Sequence, residues 1–335
     1  MPALKRELML GMEDIPAGEE KAIEEIVEIS LDAMNVGCRP VLRGQHPNSH
    51  GCVWAKFVVD PDVPDELRYG IFANPGSSYD ALVRFSSTKE SDESKRDTRG
   101  MAIKLLRNGE TYQDFVMINH PVFFIRNAAD YVLFARATVR AKHSRLLRKY
   151  PSLPRWIKAA IPIAILFNRF FFVHWKEGII LIMLAIKPRL NLLDIQYWSA
   201  TPYRLGPHAI KFSARPTSLA SDPCHSLRDS IRQDLLSQES SFDFLVQQQT
   251  DARKMPIEDP TKEWDALKSR FRRVATLKIP SQDPGDAQEP CICENFSFSP
   301  WHALPEHVPL GGINRVRRRV YDEVSKRRRE LNRSA

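Results

Sequence analysis

The feature that most restricts this chain is a series of short segments with apolar residues at every second position. Val53, Ala55, Phe57 and Val59 alternate within residues 52–59. Residues 81–88 and 100–106 repeat the pattern. Residues 113–126 hold a buried-strand run, then an Asn-His-Pro break and an aromatic pair. Ile210–Ala214, Phe242–Gln247 and Val274–Ile279 are further strand candidates. Period-two alternation puts one set of side chains on each face of a strand. Many short strands with few helical crossovers favour an antiparallel sheet or barrel over a doubly wound fold. No internal repeat is visible, and residues 281–290 (SQDPGDAQEP) read as a flexible loop.

Two helices frame these strands. Residues 18–35 carry an apolar face of Ile23, Ile26, Val27, Leu31 and Met34, with Glu19 and Glu20 favouring the N-terminus and Gly37 as a stop. In residues 313–329, Ile313, Val316, Val320 and Val324 form an apolar stripe at helical spacing. Arg317 and Tyr321, four apart, share one helical face, and Arg328 continues that line. A guanidinium beside a phenol favours the phenolate, and a buried phenolate is a good ligand for ferric iron. The plain alternative for the same residues is a basic surface helix with one interfacial tyrosine.

Residues 156–186 are the most apolar stretch. Lys158, Asn168, Arg169, Lys176 and Glu177 interrupt it, so no run reaches the length that crosses a bilayer. It reads as core or interface helices, or as an apolar lid or membrane-touching surface that admits a lipid.

The net charge of +8 is concentrated in the last twenty residues, which weakens a reading as a nucleic-acid-binding protein. The five cysteines are odd in number and lack zinc-type spacing, so free thiols in a reducing compartment are expected, with Cys291-x-Cys293 as an alternative redox pair. No secretory signal opens the sequence and no Ser-Lys-Leu address closes it, so an intracellular, cytoplasmic location is expected.

Several motifs resemble those of the catalase family. They are Arg43-x-x-His46, the Val83-Arg-Phe-Ser-Ser87 segment, Arg96-Asp-Thr-Arg-Gly100 with the following Met-Ala-Ile-Lys-Leu, Asn119-His-Pro-Val-Phe-Phe-Ile-Arg126 and the Arg317-x-x-x-Tyr321 pair. The resemblance implies an α+β fold: an antiparallel eight-stranded β-barrel with surrounding helices and haem buried in the barrel. It implies a single core domain over 1–335. Within it lie an N-terminal helical segment (1–40), a barrel (41–290) with a helical insertion (130–190), and a proximal haem-ligand helix (295–335).

The same resemblance implies haem b (iron) with Tyr321 as its axial ligand. His46 matches the distal acid–base residue, Ser86 its hydrogen-bond partner and Asn119 an orienting amide. Arg43, Arg84, Arg317 and Arg328 match cofactor contacts, and Phe123, Phe124 and Tyr131 match pocket-lining aromatics. Three departures stand out. The distal loop is one residue longer, making His50 a rival base. Ungapped counting puts Ile118 at the amide position. Gln45 matches neither the catalase nor the allene oxide synthase pattern before the distal histidine. The short chain resembles a minimal catalase-related peroxidase or allene oxide synthase. The implied activity is conversion of hydrogen peroxide or of organic or fatty-acid hydroperoxides, as a peroxidase or catalase. The alternatives are a hydroperoxide isomerase or dehydratase and a non-catalytic haem-binding protein. A homo-oligomer and lipid contact through 156–186 complete the expected partners.

Overall fold

The computed structural model describes residues 9–34, 41, 43, 46–88, 97–142, 174–185, 191–217, 226–285, 293 and 296–333. Gln45, Cys291, Arg96 and residues 156–173 of the apolar stretch lie outside them.

Nine strands form one antiparallel sheet: β1 (Asn48–Val59), β2 (Ser78–Ser87), β3 (Arg99–Arg107), β4 (Glu110–Ile118), β5 (Tyr197–Trp198), β6 (Tyr203–Leu205), β7 (His208–Pro216), β8 (Ser240–Gln248) and β9 (Arg272–Ile279). Eight of them close a barrel in the order β1-β2-β3-β4-β5-β7-β8-β9, with β9 returning to β1, and β6 lies beside β7. The β3–β4 turn is Asn108-Gly109, both at positive φ (54° and 80°), as a two-residue hairpin requires.

Alternation decides what fills the barrel. Val53, Ala55 and Phe57 of β1, Val83 and Phe85 of β2, and Ile103 and Leu105 of β3 all enter one core cluster. Phe57, Phe115, Phe212 and Phe244 meet there, with Phe115 and Phe244 at 4.7 Å between ring centroids and Phe57 and Phe244 at 5.1 Å edge-on. Such pairs contribute roughly 0.5–1.5 kcal/mol each beyond the area they bury. The lumen is therefore filled by side chains. An eight-stranded barrel has an interior about wide enough for its own side chains.

Among the described residues, five α-helices surround the barrel: α1 (Glu19–Asp32), α2 (Ala128–Lys142), α3 (Trp175–Ala185), α4 (Leu227–Ser237) and α5 (Gly312–Arg333). The apolar stripes expected for the first and last helices pack on each other. Ile23, Ile26 and Val27 of α1 meet Val316 and Val320 of α5, with Ala128 and Val132 of α2 completing the layer. Arg315 locks the start of α5 to α1 through Glu19 (Nη2–Oε2 2.9 Å) and to Glu258 (2.9 Å). α4 closes one end of the barrel with Leu227, Ile231 and Leu235, its N-terminus capped by the Ser226 hydroxyl. α1 ends at Asp32, short of the expected Gly37 stop.

The outer wall at β2–β4 is buried too. Lys104 and Asp114 form an ion pair at 2.6 Å with almost no exposure. The second Asp114 oxygen accepts from the Ser299 amide and lies 2.9 Å from His302 Nδ1, which anchors the segment leading to α5. Cys52 and Cys293, expected as free thiols, form a disulfide with Cα atoms 5.8 Å apart, a separation that suits the bond. No described helix is long and apolar enough to cross a membrane.

Candidate functional site

Strand parity sorts the two rival histidines. Leu82, Arg84 and Ser86 project from the outer face of β2, and Ser87 projects with the lumen residues. Ser86 Oγ lies 3.3 Å from His46 Nδ1, while Ser87 Oγ lies 2.8 Å from His50 Nε2. The extra loop residue is absorbed as a β-bulge: Gly51 pairs with Phe85 and Ser49 with Ser86, leaving His50 between them without a strand partner. His50 is fully buried. His46 is half-buried, outside the barrel, with positive φ (49°).

Three residues hold His46 there. Arg84 donates to its carbonyl at 3.0 Å. Ser86 addresses Nδ1, leaving Nε2 as the outward-facing nitrogen. Gly100 supplies the space, since a Cβ there would stand 2.8 Å from His46 Nδ1 and 2.9 Å from Ser86 Oγ. Burial, then the Arg84 guanidinium, lowers the His46 pKa to about 4, with Arg317 adding to the effect and Asp97 opposing it. Arg317 of α5 is thus within electrostatic reach of the loop histidine.

On the α5 side, the Arg317 guanidinium lies 5.6 Å from the Tyr321 ring centroid. It donates to Asn314 Oδ1 (3.1 Å) and to Thr201 Oγ (3.3 Å), and Thr201 in turn donates to Asn314 (3.0 Å). Burial opposes its charge, yet the phenol groups of Tyr203 and Tyr321 raise its pKa further above the ordinary value. The buried Tyr203 hydroxyl is within electrostatic reach of Arg317 but forms no well-aligned hydrogen bond. Tyr321 is half-buried. Thr201, Tyr203 and Asn314 escaped sequence reading. No local pattern marks them, because the barrel fold alone brings residues 201 and 203 to α5.

The aromatics expected to line the site form one cluster. Phe123 and Phe124 stack at 4.8 Å, Tyr131 meets both edge-on, and Ile313 of α5 packs against the group. Arg43 donates to the carbonyls of Cys293 (2.7 Å) and Phe296 (2.8 Å), tying the His46 loop to the disulfide-linked segment. Asn119 is buried, and its Oδ1 accepts from the Arg99 amide at 3.1 Å. Ile118, beside it, is paired in β4 with Gly100 and Trp198. Arg328 is half-buried two turns beyond Tyr321.

Comparisons with known proteins agree with this geometry. The family model described as Catalase matches residues 39–153. Catalase A of Botryotinia fuckeliana is 29% identical over 160 residues, 47% of this chain and 29% of that protein. Catalase easC of Claviceps fusiformis is 37% identical over 92 residues, 27% of this chain and 19% of that protein. The matched stretches thus span less than a third of these curated relatives. Among solved structures, a fungal catalase superposes with a TM-score of 0.64 at 18% identity, over 98% of this chain and 66% of its own. Catalase A from Saccharomyces cerevisiae gives 0.63 at 20% identity, over 96% of this chain and 67% of its own. This chain is thus similar to catalases in sequence over residues 39–153, and it shares their barrel-and-helix fold.

Proposed function

We propose that this chain is a haem b (iron) enzyme that converts peroxides at the outer wall of the barrel, as one core domain over 1–335. The observation that carries the reading is the electrostatic reach of the α5 arginine to His46. An imidazole kept neutral by burial and cations feels the charge of a buried guanidinium, and that guanidinium lies 5.6 Å from the Tyr321 ring centroid. The donor set fits a tyrosine-ligated haem: the Tyr321 phenol beside a buried guanidinium, and a neutral imidazole seated against Gly100, where a Cβ would crowd it. Haem, when bound, supplies the electrons that cleave the peroxide O–O bond.

The chain's own residues do the rest. Ser86 fixes the tautomer of His46, so that Nε2 takes the peroxide proton from one oxygen and returns it to the other. Arg317, held by Thr201 and Asn314, sets its positive charge against Tyr321, the metal ligand of this proposal. Arg84 fixes the His46 loop, and Arg328 and Arg43 are the further cationic contacts assigned to the cofactor's carboxylates. Phe123, Phe124 and Tyr131 exclude water. Asn119 offers its Nδ2 group as the orienting donor, because its oxygen is engaged by Arg99. A homo-oligomer and an intracellular, cytoplasmic setting belong to the same proposal.

A second reading keeps the site and changes the substrate to a fatty-acid hydroperoxide, turned over by a peroxidase or by an isomerase of the allene oxide synthase type. The exposed face of α3 favours it. Trp175, Ile179, Ile182 and Met183 are each at least 44% exposed there, an apolar surface suited to a lipid tail or a membrane.

An absorption spectrum of the purified protein, with Tyr321→Phe beside it, tests the core of the proposal. A Soret band in the wild type that is lost or strongly shifted in the variant is expected. Its absence from the wild type after haem addition overturns the reading. Oxygen release from hydrogen peroxide then separates catalase activity from hydroperoxide consumption without oxygen.

A further inference from the structure

Away from the wall, α2 and α3 bring together three metal-ligating side chains that the peroxide chemistry does not use. Asp130 stands in the first turn of α2, His174 immediately precedes α3, and Glu177 lies in its first turn. His174 Nε2 is 3.9 Å from Asp130 Oδ1, and His174 Nδ1 is 3.6 Å from Glu177 Oε1. One ligand atom from each residue lies within 4.8 Å of the other two. These spacings are too long for hydrogen bonds, so the groups face a shared point without bonding one another.

We propose that Asp130, His174 and Glu177 bind a divalent cation of the zinc class, which clamps α3 onto α2. The charges call for one. Both carboxylate side chains are only 9% exposed. Arg126 engages Asp130 through Oδ2 alone, at 3.1 Å from Nε and 3.0 Å from Nη2, leaving Oδ1 towards the histidine. The Glu177 side chain, nine-tenths buried, accepts no hydrogen bond among the described residues, and beside it there is the ionisable His174 imidazole, 3.6 Å away. A buried carboxylate without a counter-charge is costly. Two carboxylates and one guanidinium leave a net negative charge that a divalent ion reverses.

The ligand chemistry narrows the ion. One imidazole nitrogen and two carboxylate oxygens, with a fourth position open to water, suit zinc better than magnesium or calcium, which prefer all-oxygen shells. Zinc–ligand bonds of about 2.0–2.2 Å put tetrahedral ligand atoms roughly 3.3–3.6 Å apart. The observed spacings reach that by small side-chain rotations. The position gives the ion a consequence. Ile180 and Leu184 of α3 pack on Val122 and Phe124, so a clamp at the start of α3 holds this helix over the aromatic cluster.

The test uses tag-free full-length protein, stripped with EDTA, equilibrated with zinc and dialysed. Zinc and iron are then measured separately by plasma mass spectrometry, so the result stands whether or not haem is present. One equivalent of zinc per chain is expected in the wild type. Glu177→Gln, which keeps size and removes charge, and His174→Ala are expected to bind at least tenfold more weakly, with unchanged circular dichroism. Zinc is also expected to slow tryptic cleavage after the exposed Lys176 in the wild type only. No zinc retained by the wild type, or equal retention by both folded variants, overturns the proposal.

Discussion

Gly100 and His46 stand so close that a methyl group on the glycine would lie 2.8 Å from the imidazole Nδ1. The strand residue is thus part of the histidine's seat. Gly100→Ala is expected to displace the His46 loop, cost about 1–3 kcal/mol as overpacking does, and depress peroxide turnover. Thermal melts and turnover rates of the same preparation check this. An unchanged rate would show that the seat is not needed.

The two histidines make a sharper contrast. His46→Ala is expected to keep the Soret band and lose peroxide conversion by at least a hundredfold, the low end of what a positioned acid–base group supplies. His50→Ala removes a buried hydrogen bond to Ser87 and is expected to cost about 1–3 kcal/mol of stability with turnover largely kept. Reversed outcomes would assign the base to the bulge.

The pH dependence follows from the lowered pKa. His46 titrates near 4 in the folded chain against 6.5 unconstrained. The unfolded chain therefore binds the proton first as pH falls. The stability contribution is full above 6.5 and is lost as pH falls from about 6.5 towards 4. Turnover is expected to stay flat through neutral pH and fall only near 4. A fall centred near 6.5 that His46→Ala abolishes would refute the seating described for this residue.

Lys104 and Asp114 are buried together, and Asp114 also receives the Ser299 amide. Lys104→Ala leaves a buried carboxylate with part of its partners gone and is expected to cost roughly 3–5 kcal/mol. Urea denaturation measures it. A change below 1 kcal/mol would mean that the Ser299 and His302 contacts suffice alone.

The disulfide joins β1 to the segment that Arg43 grips. Cys52→Ser is expected to lose about 2–4 kcal/mol and to make stability insensitive to added dithiol, while the wild type falls to the variant's level on reduction. Identical denaturation curves for oxidised and reduced wild type would exclude that contribution.

The barrel was legible where strands are long and alternate, as in β1, β2 and β3, because each lumen residue has a same-face neighbour two positions away. β5 and β6, of two and three residues, carry no period to read. The Asn108-Gly109 turn carried a hairpin signal in plain view. Helix α4 went unread because its apolar residues serve as a barrel plug, a role set by tertiary position. At the site, Arg317 and Tyr321 were readable from helical spacing, whereas Thr201 and Tyr203 meet them only through closure. The free-thiol expectation failed for a related reason. Cys52 and Cys293 are 241 residues apart in sequence, and spacing alone does not pair such residues.

The barrel closes through a very short edge. β4 meets β5 at the single pair Ile118–Trp198, and Thr201, the hydroxyl that receives Arg317, follows three residues later. Closing the seam and seating the arginine are therefore one event. A chain whose barrel has not zipped shut has no Thr201 in place, so the fold itself acts as a checkpoint: the phenol of α5 gains its cationic companion only once the wall is complete.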